Sequence, residues 1–297
     1  MTDIAITNAG IKLSASVYGA DKLDPILFLH GISLSRDTWE EIASRMSSEF
    51  SVWTLDFRGH GDSDRASSYQ LADYVSDAEA TLAVIGRPAI LVGHSLGGVV
   101  AGVLAQGPHP NVRAVLLEDP SWYMGLPGEW ERTKFPILFA TFSAKQAAWQ
   151  KEKAPIAAYL SLLSDSPSPL GGINSDHISS RHLLSHASAL QRQDSRCWEN
   201  PHPRLLAAVK TDREFRCPAK ILQADPQCGA ALLEPFSAGV DLQLGRVTPR
   251  CRQHCVPGNV PGIDHALCDD RHRAAFLRWV IHSYYGELRN FICPAVC

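Results

Sequence analysis

The sequence predicts an α/β protein, a mainly parallel sheet with helices on both faces. Short continuous apolar runs such as Pro25–Leu29 and Ala89–Val92 read as strands buried on both sides. Between them lie amphipathic stretches of helical length, such as Leu71–Ile85. Strand–helix alternation of this kind implies parallel strands joined by helical crossovers.

The elements follow in order. Ile4–Thr7 and Ile11–Tyr18 flank the turn signal Asn8-Ala9-Gly10 and predict an N-terminal hairpin. Pro25–Leu29 ends at His30-Gly31, and Ser35–Ala43 then reads as a helix that the Ser35 side chain would cap. A strand over Phe50–Leu55 runs into the glycine-rich loop Asp56–Asp64. Leu71–Ile85 is helical, Gly86-Arg87-Pro88 turns the chain, and Ala89–Val92 is the next strand. A helix begins near Leu96, and Val112–Leu117 is a strand ending at Glu118-Asp119-Pro120. The pattern breaks from Ser121 to about Arg216, where aromatics and short helical runs predominate. This stretch, 121–216, is expected to be a helical cap inserted into a core made of 1–120 and 217–297. Its aromatics either form a small core of their own or wall an apolar pocket. Cys217–Gln223 resumes the strand pattern, and Asp270–Tyr285 reads as a final helix.

Composition narrows the function. The 297 residues are 45% hydrophobic and 20% charged, with a net charge of −3, so neither nucleic acid nor an anionic membrane is an expected partner. The N-terminus lacks a basic stretch followed by an apolar core, and no apolar run approaches the roughly 20 residues that cross a bilayer. A soluble, cytoplasmic protein is expected. Seven of the eight cysteines follow residue 216. Reduced thiols are the expectation, and Cys251-x₃-Cys255 and Cys293-x₃-Cys297 are weak metal signals without a matching second pair. Neither G-x-x-x-x-G-K-[ST] nor G-x-G-x-x-G occurs, which disfavours nucleotide binding.

The chemistry concentrates at Gly93-His94-Ser95-Leu96-Gly97. A sharp strand-to-helix turn lifts its apical residue out of the sheet edge, and small residues two positions away let strand and helix pass without collision. Ser95 is the expected nucleophile, and the Leu96 N–H at the helix start is aimed where an oxyanion would form. Such a serine needs a histidine base and an acid that orients it.

The chain resembles the α/β-hydrolase family. The resemblance rests on Leu27-Phe28-Leu29-His30-Gly31, Asp56-Phe57-Arg58-Gly59-His60-Gly61-Asp62-Ser63, Gly93-His94-Ser95-Leu96-Gly97-Gly98 and Gly262-Ile263-Asp264-His265. It implies an eight-stranded sheet, a serine–acid–histidine triad in that chain order and no cofactor. His265 matches the family's base, with His254 as the nearby rival. The acid is expected after the sixth strand at Asp119, with Asp225 and Glu118 as alternatives. Ala224 stands where relatives have the glycine that precedes an acid after the seventh strand, which favours Asp119. Ile32 is expected to supply the second oxyanion N–H, with His30 and Gly31 shaping that loop, while His94 serves packing. The charges of 56–64 are expected to stabilise the loop itself.

The reaction implied is hydrolysis of a small, largely apolar carboxylic ester or lactone through an acyl-enzyme on Ser95. The same triad also serves carbon–carbon bond hydrolysis, haloperoxidase or perhydrolase activity, lyase chemistry, or a small-molecule receptor without turnover. A small molecule is the expected partner, with no metal; the sequence leaves oligomeric state open.

Overall fold

In a computed structural model, the structure describes residues 1–118, 120–121, 129–132, 135–166, 172–199, 215–217 and 219–222. The expected site residues Asp119, Asp225, His254 and His265, and the final helix 270–285, lie outside the described residues.

Seven strands form one sheet in the order β1-β2-β4-β3-β5-β6-β7. They are β1 (Thr2–Asn8), β2 (Ile11–Tyr18), β3 (Pro25–Leu29), β4 (Ser51–Leu55), β5 (Ala89–His94), β6 (Val112–Glu118) and β7 (Ala219–Leu222). The hairpin β1–β2 turns on Ala9 and Gly10, both at positive φ (49° and 82°), as a two-residue hairpin loop requires. From β4 onward all neighbouring strands are parallel. An eighth strand would fall outside the described residues.

The helices are α1 (Glu40–Met46), α2 (Leu71–Ile85), α3 (Leu96–Gln106), α4 (Glu129–Arg132), α5 (Phe135–Glu152), α6 (Ile156–Asp165) and α7 (Ser180–Arg192). Alternate residues of the central strands feed opposite faces. Leu27 and Leu29 of β3, Leu91 of β5 and Leu117 of β6 pack with α2 and α3. Ile26, Phe28, Val92 and Leu116 pack on the other face with Trp39, Ile42 and Met46. Both faces are thus covered, and β3, β4 and β5 are buried along their whole length.

The helical stretch 129–199 has its own apolar cluster, built on Phe139, Tyr159, Leu163, Leu183, Leu190 and Trp198. Its aromatics therefore pack largely against one another: Trp198 stacks on Phe142 at 5.3 Å and meets Phe139 edge-on at 5.0 Å.

The expected Ser35 cap is corrected by the structure. Residues Arg36–Trp39 form a 3₁₀ turn leading into α1, and the Ser35 side chain makes no capping bond. The Arg36 N–H donates instead to Asp56 Oδ1 at 2.7 Å. A carboxylate from the loop after β4 does what Ser35 was expected to do, and Ser35 Oγ accepts a long bond (3.4 Å) from Arg192.

Candidate active site

Strand order reverses at β3, with β4 on one side and β5 on the other, and the register sets Leu29 opposite Gly93. Ligand crevices in open α/β sheets form at such a switch point, beyond the carboxyl ends of the strands. The chain leaves β3 into His30-Gly31-Ile32 and leaves β5 into Ser95, so the two segments are neighbours there.

Ser95 sits between β5 and α3 at φ 48°, ψ −111°, a conformation that costs an ordinary side chain of order 1–3 kcal/mol. Its N–H donates to Glu118 O (2.9 Å) and its carbonyl accepts from Val99 N–H (3.0 Å), so the strained corner is held at both ends. The flanking glycines are there for space. A Cβ on Gly93 would lie 2.2 Å from Gly97 O, and one on Gly97 would lie 2.2 Å from Leu29 O. Ser95 remains partly exposed while its neighbours from Leu91 to Val100 are buried.

The loop after β3 lies against this corner. A Cβ on Gly31 would approach Ser95 Cβ to 3.4 Å and His94 Nδ1 to 2.7 Å. Gly97 N–H donates to His30 O (3.1 Å), tying the first turn of α3 to the same loop. His30 is fully buried. Phe57 N–H donates to its Nε2 (3.1 Å), so Nδ1 carries the proton and donates to Gly31 O at 2.8 Å. Burial, helped by the adjacent His60, holds His30 well below the usual histidine pKa.

The loop 56–64 braces this arrangement. Asp56 is fully buried and accepts from the Arg36 guanidinium, the Arg36 N–H and the Asp62 N–H. Burial pushes its carboxyl up to about 6, with Arg36 pulling the other way. Arg58 is paired with the buried Asp77 at 2.7 Å and with Asp73 at 3.1 Å on α2. Asp62 is held by Arg36 (2.9 Å) and Arg192 (3.0 Å). The expectation that these charges stabilise the loop agrees with their pairing. The buried His60 points its Nδ1 at Arg58 O (2.9 Å) and its Nε2 at Ile32 O (2.8 Å).

The structure thus brings together Ser95, Leu96, His30, Gly31 and Ile32. It places Glu118 at the end of β6, paired in register with His94. Sequence reasoning did not single out Arg36, His60, Gln193 or Asp194. The pairing of Arg36 with Asp56 joins residues 20 positions apart, and Asp194 meets Tyr69 Oη (2.7 Å) across 125; no local pattern signals either. Cys197 and Cys217 are free thiols, and burial raises both, Cys217 to about 11. Among the described residues no three His, Cys, Asp or Glu side chains gather as a metal site, and no helix is long and apolar enough to cross a membrane.

With strand order, elbow and loop in place, the chain belongs to the alpha/beta hydrolase family, whose profile matches residues 26–276. It is 34% identical over 138 residues to 2-(acetamidomethylene)succinate hydrolase of Mesorhizobium japonicum, covering 46% of this chain and 47% of that protein. It is 32% identical over 97 residues to pimeloyl-[acyl-carrier protein] methyl ester esterase of Neisseria meningitidis, covering 33% of this chain and 30% of that one. Each match therefore spans less than half the length of the curated relative. Among solved structures, the enol-lactonase from Burkholderia xenovorans superposes with a TM-score of 0.67 at 16% identity, covering 94% of this chain and 98% of that one. This last likeness is one of fold.

Proposed function

We propose that the protein hydrolyses a small, largely apolar carboxylic ester or lactone through an acyl-enzyme on Ser95. The observation that carries this reading is Ser95 itself, a non-glycine residue at φ 48° at the head of α3, with Gly31 against it. The relative described as a methyl ester esterase supports the substrate class.

In this reading Ser95 Oγ adds to the substrate carbonyl while His265 takes its proton, and Asp119 holds the imidazole in the needed tautomer. Negative charge developing on the carbonyl oxygen is met by the N–H groups of Leu96 and Ile32. His265 returns the proton to the departing alcohol, and water, activated the same way, releases the acid. Residues 121–216 cover the site as a cap on a core of 1–120 and 217–297. The reaction needs no cofactor.

The test compares wild type and Ser95→Ala with a fluorophosphonate probe and with p-nitrophenyl esters of graded chain length. Wild type labels and turns over short esters; Ser95→Ala does neither. A folded wild type that neither labels nor hydrolyses refutes the reading and leaves a receptor on this fold. Asp119→Asn, Asp225→Asn and Glu118→Gln locate the acid: Asp119→Asn loses on the order of 10⁴-fold in kcat and the other two little. If only Asp225→Asn or Glu118→Gln is crippled, Asp119 is not the acid.

A further inference from the structure

The Ile32 N–H lies in the Gly31–Ile32 peptide plane, and that plane keeps its direction while it and the chain on either side of it are anchored. The plane itself is held through the Gly31 carbonyl, which accepts from His30 Nδ1 (2.8 Å) and Leu34 N–H (3.1 Å). Because N–H and C=O of a trans peptide point in opposite directions, these bonds aim the Ile32 N–H away from His30. The plane after it is held through the Ile32 carbonyl, and there a donor arrives from the helical stretch. Gln193 Nε2 lies 2.6 Å from Ile32 O and 3.2 Å from His60 Nε2. The orientation of this amide is forced, since the reverse would set two carbonyl oxygens against each other. A neutral imidazole donates from one nitrogen only, and burial keeps His60 below the usual histidine pKa. Whichever ring nitrogen holds the proton, the Gln193 amide donates to Ile32 O.

Gln193 is 161 residues from Ile32 and directly follows α7. Its neighbours grip the same loop: His186 Nε2 is 3.0 Å from Ser33 Oγ, and Arg192 reaches Ser35 Oγ. Ile32 itself packs against both the sheet core and the helical cluster.

We propose that Gln193 is a positioning residue for the oxyanion: it anchors the Ile32 carbonyl and with it the chain just downstream of the Gly31–Ile32 plane, so that seating the α7 end of the helical stretch steadies the Ile32 N–H. The proposal rests on the acyl-transfer reading above. The oxyanion forms only in the transition state, so the effect belongs to kcat and not to KM.

The experiment compares Gln193→Met, which keeps the bulk and loses the donor, with Gln191→Ala, two residues away, whose amide bonds Ala154 O within the helical stretch. Gln193→Met is expected to lower kcat for p-nitrophenyl acetate about tenfold, less than full loss of an oxyanion donor, with KM within about twofold. The second-order rate of fluorophosphonate labelling falls by the same factor. Gln191→Ala leaves both rates unchanged even if its Tm falls. Should Gln193→Met not fold, Gln193→Leu, similar in size and without a donor, is read the same way. Unchanged kcat and labelling, or a loss confined to KM, overturns the proposal. Ser95→Ala run in parallel separates the failures. If it stays active, the acyl-transfer reading falls; if it is inactive and the Gln193 variants are normal, only the positioning role falls.

Discussion

Replacing Gly97 by alanine puts a methyl group where the elbow has no room. Its Cβ would sit 2.2 Å from Leu29 O, 2.5 Å from Leu29 C and 2.8 Å from Leu29 Cβ. That is roughly 1 Å or more inside ordinary contact, and the atoms it meets belong mainly to the backbone of a central strand, which cannot swing aside. Alanine in a helix is intrinsically better than glycine by about 1 kcal/mol. Overpacking a rigid site costs up to about 3 kcal/mol, so a net loss of about 2 kcal/mol is expected. For a chain of 297 residues that lowers Tm by about 3 °C. The strain is relieved by α3 moving off β3, which carries the Leu96 N–H with it. A shift of about 1 Å at a reacting centre costs on the order of 10²-fold in rate. Gly107→Ala is the control, since its nearest neighbour would be Leu104 O at 3.7 Å and its φ of −90° suits any residue. That change is expected to be neutral or to stabilise by about 0.5 kcal/mol through the unfolded chain. Gly98→Ala, with contacts of 3.1 Å, should fall between the two. Thermal unfolding and p-nitrophenyl acetate turnover are read side by side. The reasoning fails if Gly97→Ala matches Gly107→Ala in both.

Two further changes probe the frame beneath the site. Asp77→Ala removes the buried partner of Arg58 and leaves the guanidinium to Asp73 alone, at a cost of about 3 kcal/mol in urea unfolding; a loss under about 1 kcal/mol would mean that Arg58 rehydrates freely. Burial lowers both His30 and His60 from the ordinary 6.5, so below that pH the unfolded chain binds protons that the folded one does not. Stability is then complete above about pH 6.5 and falls on acidification, by at most about 1.4 kcal/mol per pH unit for each histidine. Asp56, pushed up to about 6, takes up a proton on folding over part of the same range and offsets one histidine in part; urea titrations between about pH 7.5 and 5 read the slope that remains, and stability that rises on acidification would mean that these histidines protonate as readily folded as unfolded.

Local order was well written in the sequence. The helix expected over Leu71–Ile85 is α2 to the residue, because a fifteen-residue apolar face ends at a glycine that closes the helix at φ 67°. The central strands were legible because residues buried on both faces leave uninterrupted apolar runs, as in Pro25–Leu29. The first helix was misread at its start, because the group that takes its leading N–H is Asp56, 20 residues downstream. Nothing in Ser35-Arg36-Asp37 could announce that.

The candidate site divides along the same line. The sequence alone determined the strand–turn–helix around Ser95, since glycines two residues either side of a serine, after an apolar run and before a helix, are a local steric statement. Only the tertiary structure decided that Gly31 lies against Ser95, that Arg36 and Arg58 are consumed by Asp56 and Asp77, and that Gln193 closes on Ile32. The physical reason is range. Periodicity and turn chemistry act over a few residues, whereas these contacts join segments brought side by side by strand order, and a hydrogen bond between distant residues leaves no trace in the spacing of either.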